Sequence, residues 1–306
     1  QIRERDQYEL KAADMGTVMH EALEKFSKKL QENGETWKTV TDDTRDRLIE
    51  ECVEETMADY GNTIFQSSSR NQYRIIRVKR ILKRTVWALQ QQIRQGEFEP
   101  GEFEVSFSME DSLSAINIDL SEHEKMRLRG RIDRVDLCET DDKIYVKIID
   151  YKTGNTSLDL VALYYGLQLQ LVLYLEAAMA MAAKRNPNRK LIPAGIYYYN
   201  MKDPIVSGFD MTKEEIEAKQ QKELRMNGLT STEKASLLLI DAEGGNVVSG
   251  LEYKKDGSLS SRALVANADQ MHELGHFARK KALDLARDIY GGKIDAYPYE
   301  YKKMNP

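Results

Sequence analysis

Leu128-Arg-Gly-Arg-Ile-Asp-Arg-Val-Asp-Leu137 and Ile144-Tyr-Val-Lys-Ile-Ile-Asp-Tyr-Lys152 read as two strands, joined by the turn-rich Glu139-Thr-Asp-Asp-Lys143. An antiparallel hairpin centred on Asp141-Asp142 pairs Asp133 with Asp150. Opposed Cβ atoms in such a pair sit roughly 4.5–5.5 Å apart. Lys152 lies two residues beyond Asp150 and so shares its face. Like charges opposed across a sheet are destabilising, and a divalent cation is the natural compensation. Two carboxylates holding Mg²⁺ can polarise a phosphate and acidify a water, and a lysine beside them can orient that water or stabilise the developing charge. That is the chemistry of phosphodiester hydrolysis. Asp-x-Lys alone is a common string, equally at home on a surface hairpin with scattered ion pairs. The opposed Asp133, the apolar Ile148-Ile149 and the following Thr153-Gly154 favour the site.

Around the hairpin the elements alternate in kind. Asp14 is placed to cap a helix running to about Leu30, with Val18, Ala22, Leu23, Phe26 and Leu30 as its apolar stripe. His20 falls at the margin of that stripe, and Gly16, one turn earlier, leaves room for another backbone or a DNA strand. Helices are expected over about 42–60 and 70–95, and a strand within Phe98–Ser108. Leu158 to about Arg185 is largely helical and apolar almost all round, which predicts a buried element. Ile192–Tyr199 is a further strand, 213–226 a charged exposed helix, and the turns at Glu243–Asn246 and Lys255–Ser258 belong to a loop-rich insertion. A last helix runs from Asn267 to about Tyr290 and ends at Gly291-Gly292. One α/β domain with a helical N-terminal portion is the simplest account. Its parts are the helical portion at 1–96, a core at 97–200, the insertion at 201–265, and the last helix and tail at 266–306.

The quoted motifs taken together resemble RecB-type PD-(D/E)XK nucleases. Gly130-Arg-Ile-Asp-Arg-Val-Asp136, Ile149-Asp-Tyr-Lys-Thr-Gly154 and Gln170-Leu-Val-Leu-Tyr174 stand in that family's order, preceded by Gly16-Thr-Val-Met-His-Glu-Ala-Leu23, which is similar to its histidine motif. Tyr164-Tyr-Gly-Leu-Gln-Leu-Gln170 and Gly292-Lys-Ile-Asp-Ala-Tyr-Pro298 fit the AddB-type subfamily of helicase–nuclease subunits. The resemblance implies a restriction-endonuclease-like core, a mixed central sheet flanked by helices. It implies that His20, Asp133 and Asp150 ligate Mg²⁺ or Mn²⁺ with the main-chain carbonyl of Tyr151, and that Lys152 positions or activates the attacking water. Gln170 and Tyr174 would contact DNA or support Lys152; their spacing of four places both on one helical face. It also implies single-stranded DNA as substrate, an AddA-like helicase–nuclease subunit as partner, double-strand-break processing as setting, and the strand ending 5′ at the break as target. A free-standing RecB-like exonuclease and a CRISPR-associated adaptation nuclease are alternatives within the superfamily. AddB-type nucleases also carry an iron–sulfur cluster on four cysteines, whereas this chain has only Cys52 and Cys138, neither at a matching place. The expectation is an excised core, cut between the cluster ligands.

Composition agrees with a soluble globular protein: 31% charged and 41% hydrophobic residues, without eighteen consecutive apolar residues or a signal-peptide core. Two distant cysteines suit the reducing cytoplasm, with no membrane association expected. The net charge of −5 hides an uneven distribution. Residues 32–59 hold ten acids and three bases, whereas 62–96 hold eight bases and no acid. Arg74, Arg77 and Arg84, interleaved with Tyr73, Ile76, Leu82 and Trp87, are candidates for a phosphate-tracking stripe. About half of these eight bases are expected instead to pair with the acidic helix before them.

Two rival readings stand beside the nuclease. His272-Glu-Leu-Gly-His276 matches the zinc-peptidase string, with two histidines for Zn²⁺ and Glu273 as base. Its extended form needs a glycine at 279 and a histidine at 282, where Arg279 and Ala282 stand. Of later acids, Glu300 is the candidate, past Pro298 in a stretch with little helical promise. The plain alternative is a surface helix whose core stripe is Met271, Leu274, Ala278, Ala282, Leu285 and Ile289. The other rival is a nuclease fold kept as a catalytically inactive scaffold, against which stands the joint presence of His20, Asp133, Asp150 and Lys152.

Overall fold

A near-continuous apolar strand buried on both faces needs a layer of helices on each side, and Ile144–Tyr151 is such a strand. The computed structural model describes residues 12–59, 68–107, 117–119, 125–206, 208 and 210–295. Three helices come first, α1 (Ala12–Glu32), α2 (Asp42–Asp59) and α3 (Ser69–Arg94). Strand β1 (Glu99–Phe107), a small hairpin β2 (Asn117–Asp119) and β3 (Lys125–Arg127), and the central hairpin β4 (Gly130–Glu139) and β5 (Lys143–Lys152) follow. Then come α4 (Leu160–Tyr164), α5 (Gln170–Arg185), β6 (Lys190–Asn200), α6 (Lys213–Glu223), β7 (Asn227–Ser231), α7 (Lys234–Ile240), β8 (Val265–Ala266) and α8 (Ala268–Tyr290). The main sheet has the order β1-β4-β5-β6-β7-β8. It is mixed: β5 pairs parallel with β6 and β7 with β8, and the other neighbours are antiparallel.

The β4–β5 register runs from Glu139–Ile144 to Arg134–Ile149, as the hairpin chemistry predicts. One step further along the same register Asp133 stands opposite Asp150. One apolar cluster packs α1, α2 and α3 against one face through Phe26, Ile49 and Leu82. The other packs α5 and α8 against the opposite face through Leu171, Leu175 and Ala278. All five stripe residues of α1 are buried, each worth about 1.5–3 kcal/mol of transfer free energy, and this burial fixes which side of α1 presents His20 to the sheet. Among the described residues no helix is long and apolar enough to cross a membrane.

Several local expectations change. Asp14 is in the first turn of α1 rather than at its cap, where its charge complements the helix dipole. A Cβ at Gly16 would meet only Thr153 Cγ2 at 3.8 Å, so no backbone among the described residues requires a glycine there. The expected continuous helix over 158–185 breaks: Gly166 takes φ +88° after α4, and Leu160, Val161, Tyr164, Tyr165 and Leu167 are exposed rather than buried. The supposed insertion at 201–265 supplies β7 and most of the β7–β8 contact to the main sheet. Asn227-Gly-Leu-Thr-Ser231 lacks the apolar alternation that marks a strand, because Gly228 lies against β6. A Cβ there would fall 2.0 Å from the Ile196 carbonyl oxygen. The α8 stripe holds at Met271, Ala278 and Ala282, but Leu285 and Ile289 are exposed, and Gly275 and Ala286 are buried in their stead. The β2–β3 hairpin was not foreseen. The N-terminal hexapeptide, Glu300, and the tail from 296 onward lie outside the described residues, as does Ser108 at the end of the expected strand.

Behind the site, a charge cluster is sealed inside the fold. Arg134 and Asp136 have no exposure, and Lys147 is buried with them. Arg134 grips Asp136 with two hydrogen bonds, Nε to Oδ1 at 2.5 Å and Nη2 to Oδ2 at 2.8 Å. Lys147 Nζ lies 3.0 Å from Asp136 Oδ2. Burial works against each charge, but the two cations hold the Asp136 carboxyl below its ordinary range, while burial lowers Lys147. Arg134 Nη1 also donates to Tyr151 Oη at 3.3 Å, which ties this cluster to the strand carrying Asp150 and Lys152.

Candidate active site

Four elements bring titratable side chains to one end of the sheet. α1 contributes His20, β1 Glu104, β4 Asp133, and β5 Asp150 and Lys152. His20 Nδ1 lies 3.3 Å from Asp133 Oδ1 and 3.8 Å from Glu104 Oε1. Ligand atoms of His20, Glu104 and Asp133 all fall within 4.8 Å of one another. The other oxygen of Asp133 is fixed by the backbone N–H of Tyr151, which donates to Oδ2 at 2.7 Å. Tyr151 turns its ring into the core, edge-on to His20 and Tyr199. Asp150 is buried and meets Lys152 Nζ at 2.5 Å. Lys152 Nζ also donates to Gln170 Oε1 at 3.2 Å, and Gln170 Nε2 donates to Tyr174 Oη at 2.8 Å. The four-residue spacing at the start of α5 thus forms a relay that holds Lys152.

Glu104 is the group that motif reading missed. Its φ of +50° is in the left-handed region that non-glycine residues rarely adopt. Phe103 and its partner Arg134 face the α1–α3 side, whereas Val105 and its partner Ile132 join the opposite cluster. The strand pair changes face at Glu104 and Asp133, and both carboxylates emerge at that change. The alternation of Phe103, Val105 and Phe107 suggests one regular face and conceals this kink. The usable signal was Glu104 lying level with Asp133 once β1 is set beside β4.

The electrostatics follow from the crowding. Burial and the neighbouring Asp133 push Glu104 up to about 7, against the opposing Arg131 and His20. Burial and Asp133 also push Asp150 up to about 6, although Lys152 and His20 act against this. Burial disfavours the charged form of His20, but its hydrogen bond to Asp133 and the surrounding carboxylates outweigh that and raise its pKa. Three carboxylates competing for too little positive charge, with an imidazole among them, form a hard, mixed N/O donor set suited to a divalent cation.

The other candidate residues divide. Lys79 and Lys83 pair with Glu54 and Glu50 of α2, each at 2.6 Å. Arg80 and Arg84 reach Asp203 at 2.6 and 3.5 Å, and Arg84 also covers Trp87. Asp203 lies just past Asn200, which is the register partner of Lys152, so this part of α3 borders the catalytic end of the sheet. Arg77 is exposed and Arg74 half-buried on the same helix. Cys52 and Cys138 are buried and unbridged. Burial pushes Cys52 up to about 12 and raises Cys138, so both are protonated thiols rather than thiolate ligands.

His272 and His276 sit exposed on α8 with Nε2 atoms 2.9 Å apart. Among the described residues no third histidine, cysteine or carboxylate joins them in a metal-holding group. His272→Ala should therefore leave DNA cleavage unchanged and shift stability by less than about 0.5 kcal/mol. Parallel cleavage assays and thermal melts test this, and lost activity in a folded variant would restore the zinc reading.

The sequence profile of the PD-(D/E)XK nuclease superfamily matches residues 1–301. The chain is 41% identical over 99% of its length to the AddB component of the ATP-dependent helicase/deoxyribonuclease of Lachnoclostridium phytofermentans. It is 34% identical over 98% of its length to the protein of that name from Acetivibrio thermocellus, and 33% over 99% to that of Clostridium tetani. It spans 26%, 26% and 27% of those three relatives.

Proposed function

Because this chain belongs to the PD-(D/E)XK nuclease superfamily, we propose that it is a metal-dependent deoxyribonuclease module that hydrolyses phosphodiester bonds of single-stranded DNA. The observation that carries the reading is the convergence of His20, Glu104 and Asp133 beside the Asp150–Lys152 pair. His20, Glu104, Asp133 and Asp150, with the Tyr151 main-chain carbonyl, are the residues that would hold Mg²⁺ or Mn²⁺. When bound, the cation polarises the phosphoryl oxygens and lowers the pKa of water.

Lys152 is aimed by Asp150 on one side and Gln170 on the other. Its ammonium can orient the attacking water and neutralise charge that grows on the phosphoryl oxygens. Tyr174 fixes Gln170, and the Tyr151 N–H fixes the rotamer of Asp133, so neither group needs to reorganise during the reaction. Arg80 and Arg84, at the same end of the sheet, and Arg74 and Arg77, further along α3, supply a positive margin for the phosphate backbone. In a longer polypeptide such as the relatives, the module would work beside a helicase motor and an AddA-like subunit in double-strand-break processing. An iron–sulfur cluster in such a polypeptide would take its thiolates from outside this chain, since Cys52 and Cys138 do not serve.

Asp150→Ala is expected to weaken Mn²⁺ binding about tenfold or more and to abolish cleavage, with the fold retained. Calorimetric titration of Mn²⁺ into parent and variant checks it. Equal affinity in the two would remove Asp150 from the ligand set.

A further inference from the structure

We infer that Tyr164 and Tyr165 form a base-stacking platform that holds the single strand beside the catalytic lysine. The inference deepens the nuclease reading above and rests on it. Tyr164 is 61% exposed and Tyr165 54%. Five exposed apolar residues between 160 and 167 are a costly surface for a free protein, and such patches mark binding sites. The two rings are already arranged as a stack. Tyr164 lies parallel to Phe277 of α8 at 5.8 Å between centroids, and Tyr165 meets Tyr164 edge-on at 5.3 Å. One face of Tyr164 is therefore backed by Phe277.

The platform is anchored to the site at both ends of its loop. It belongs to the segment between Lys152, at the end of β5, and Gln170, at the start of α5, and these two residues touch. Gln168 closes the segment: its Oε1 accepts from the Asp159 N–H at 2.9 Å and its Nε2 donates to the Ser157 carbonyl at 3.0 Å. The tip so formed presents the tyrosines a few residues from the catalytic ammonium. Lys281 packs its aliphatic stem against Gly166, and neither it nor Lys280 forms an ion pair among the described residues. Aromatic faces flanked by uncommitted cations match a strand of stacked bases on a phosphate backbone. Every base has a π-face, so the contact would be indifferent to sequence, as a processive nuclease requires.

The test measures binding of a fluorescent oligothymidylate by anisotropy in the cleavage-dead Lys152→Ala background, with cleavage by the parent chain followed in parallel. Tyr164→Ala and Tyr165→Ala should each raise Kd at least about fivefold. Tyr164→Phe, which keeps the ring, should stay near the background value, and a 2-aminopurine oligonucleotide should lose its stacking quench in the alanine variants only. Unchanged Kd and quench in folded alanine variants, beside a parent that cuts DNA, would overturn the platform alone and point to a protein covering the patch. A parent that neither binds nor cuts the oligonucleotide would overturn the platform and the nuclease reading together.

Discussion

Lys152→Ala should lower the rate of single-stranded DNA cleavage at least about a thousandfold, the loss expected when a preorganised donor to a developing charge is removed. The fold should survive. The lysine side chain is 29% exposed and its partners are Asp150 and Gln170, so its removal opens no cavity in either apolar cluster. Its loss leaves Asp150 without its neutralising neighbour, which should tighten rather than loosen the hold on a divalent cation. Single-turnover cleavage of an end-labelled oligonucleotide, with Mn²⁺ titration and a thermal melt on the same samples, separates these effects. A variant retaining a tenth of parental activity would assign the water-positioning role elsewhere.

Asp136→Ala should destabilise the protein by about 3–5 kcal/mol, the range for removing one partner of a buried ion pair. Asp136 is the anion shared by Arg134 and Lys147, both sealed from solvent. Without it two cations face each other with the rings of Trp37, Phe103 and Phe98 as their remaining company. That is a large fraction of a typical domain's whole stability. Equilibrium denaturation in urea measures it, and a loss below about 1 kcal/mol would show that water or a rearranged Tyr151 takes up the charge. The same substitution should blunt cleavage, because Arg134 neighbours Asp133 in sequence and holds the strand that carries Lys152.

The central hairpin was legible because its chemistry is local. The turn at Asp141-Asp142 sets the register, and the register sets Asp133 against Asp150. The α1 stripe was equally plain, since a 3.6-residue period needs only its own helix, and all five of its residues are buried. Elements that depend on distant partners were not legible. Asn227–Ser231 becomes a strand because β6 leaves it a backbone-wide slot, which Gly228 fits. Residues 160–167 carry the composition of a buried helix yet stay outside, because the turn at Gly166 ends α4 and starts a new direction. In the site, His20, Asp133, Asp150 and Lys152 could be named from motifs. Glu104 could not, because its role arises from a left-handed residue that reverses the faces of β1. The basic run of α3 divides as charge patterning anticipates, with Lys79 and Lys83 on the acidic α2 and Arg80 and Arg84 on Asp203 instead.

The most direct measurement is digestion of end-labelled single-stranded DNA by the parent chain in Mg²⁺ or Mn²⁺, repeated after chelation and with Asp133→Asn. The account predicts a ladder of shortened products from the parent with either cation, and intact substrate in the other two arms. Cleavage that persists in chelator or in Asp133→Asn, or no cleavage by the parent with either cation, would contradict it.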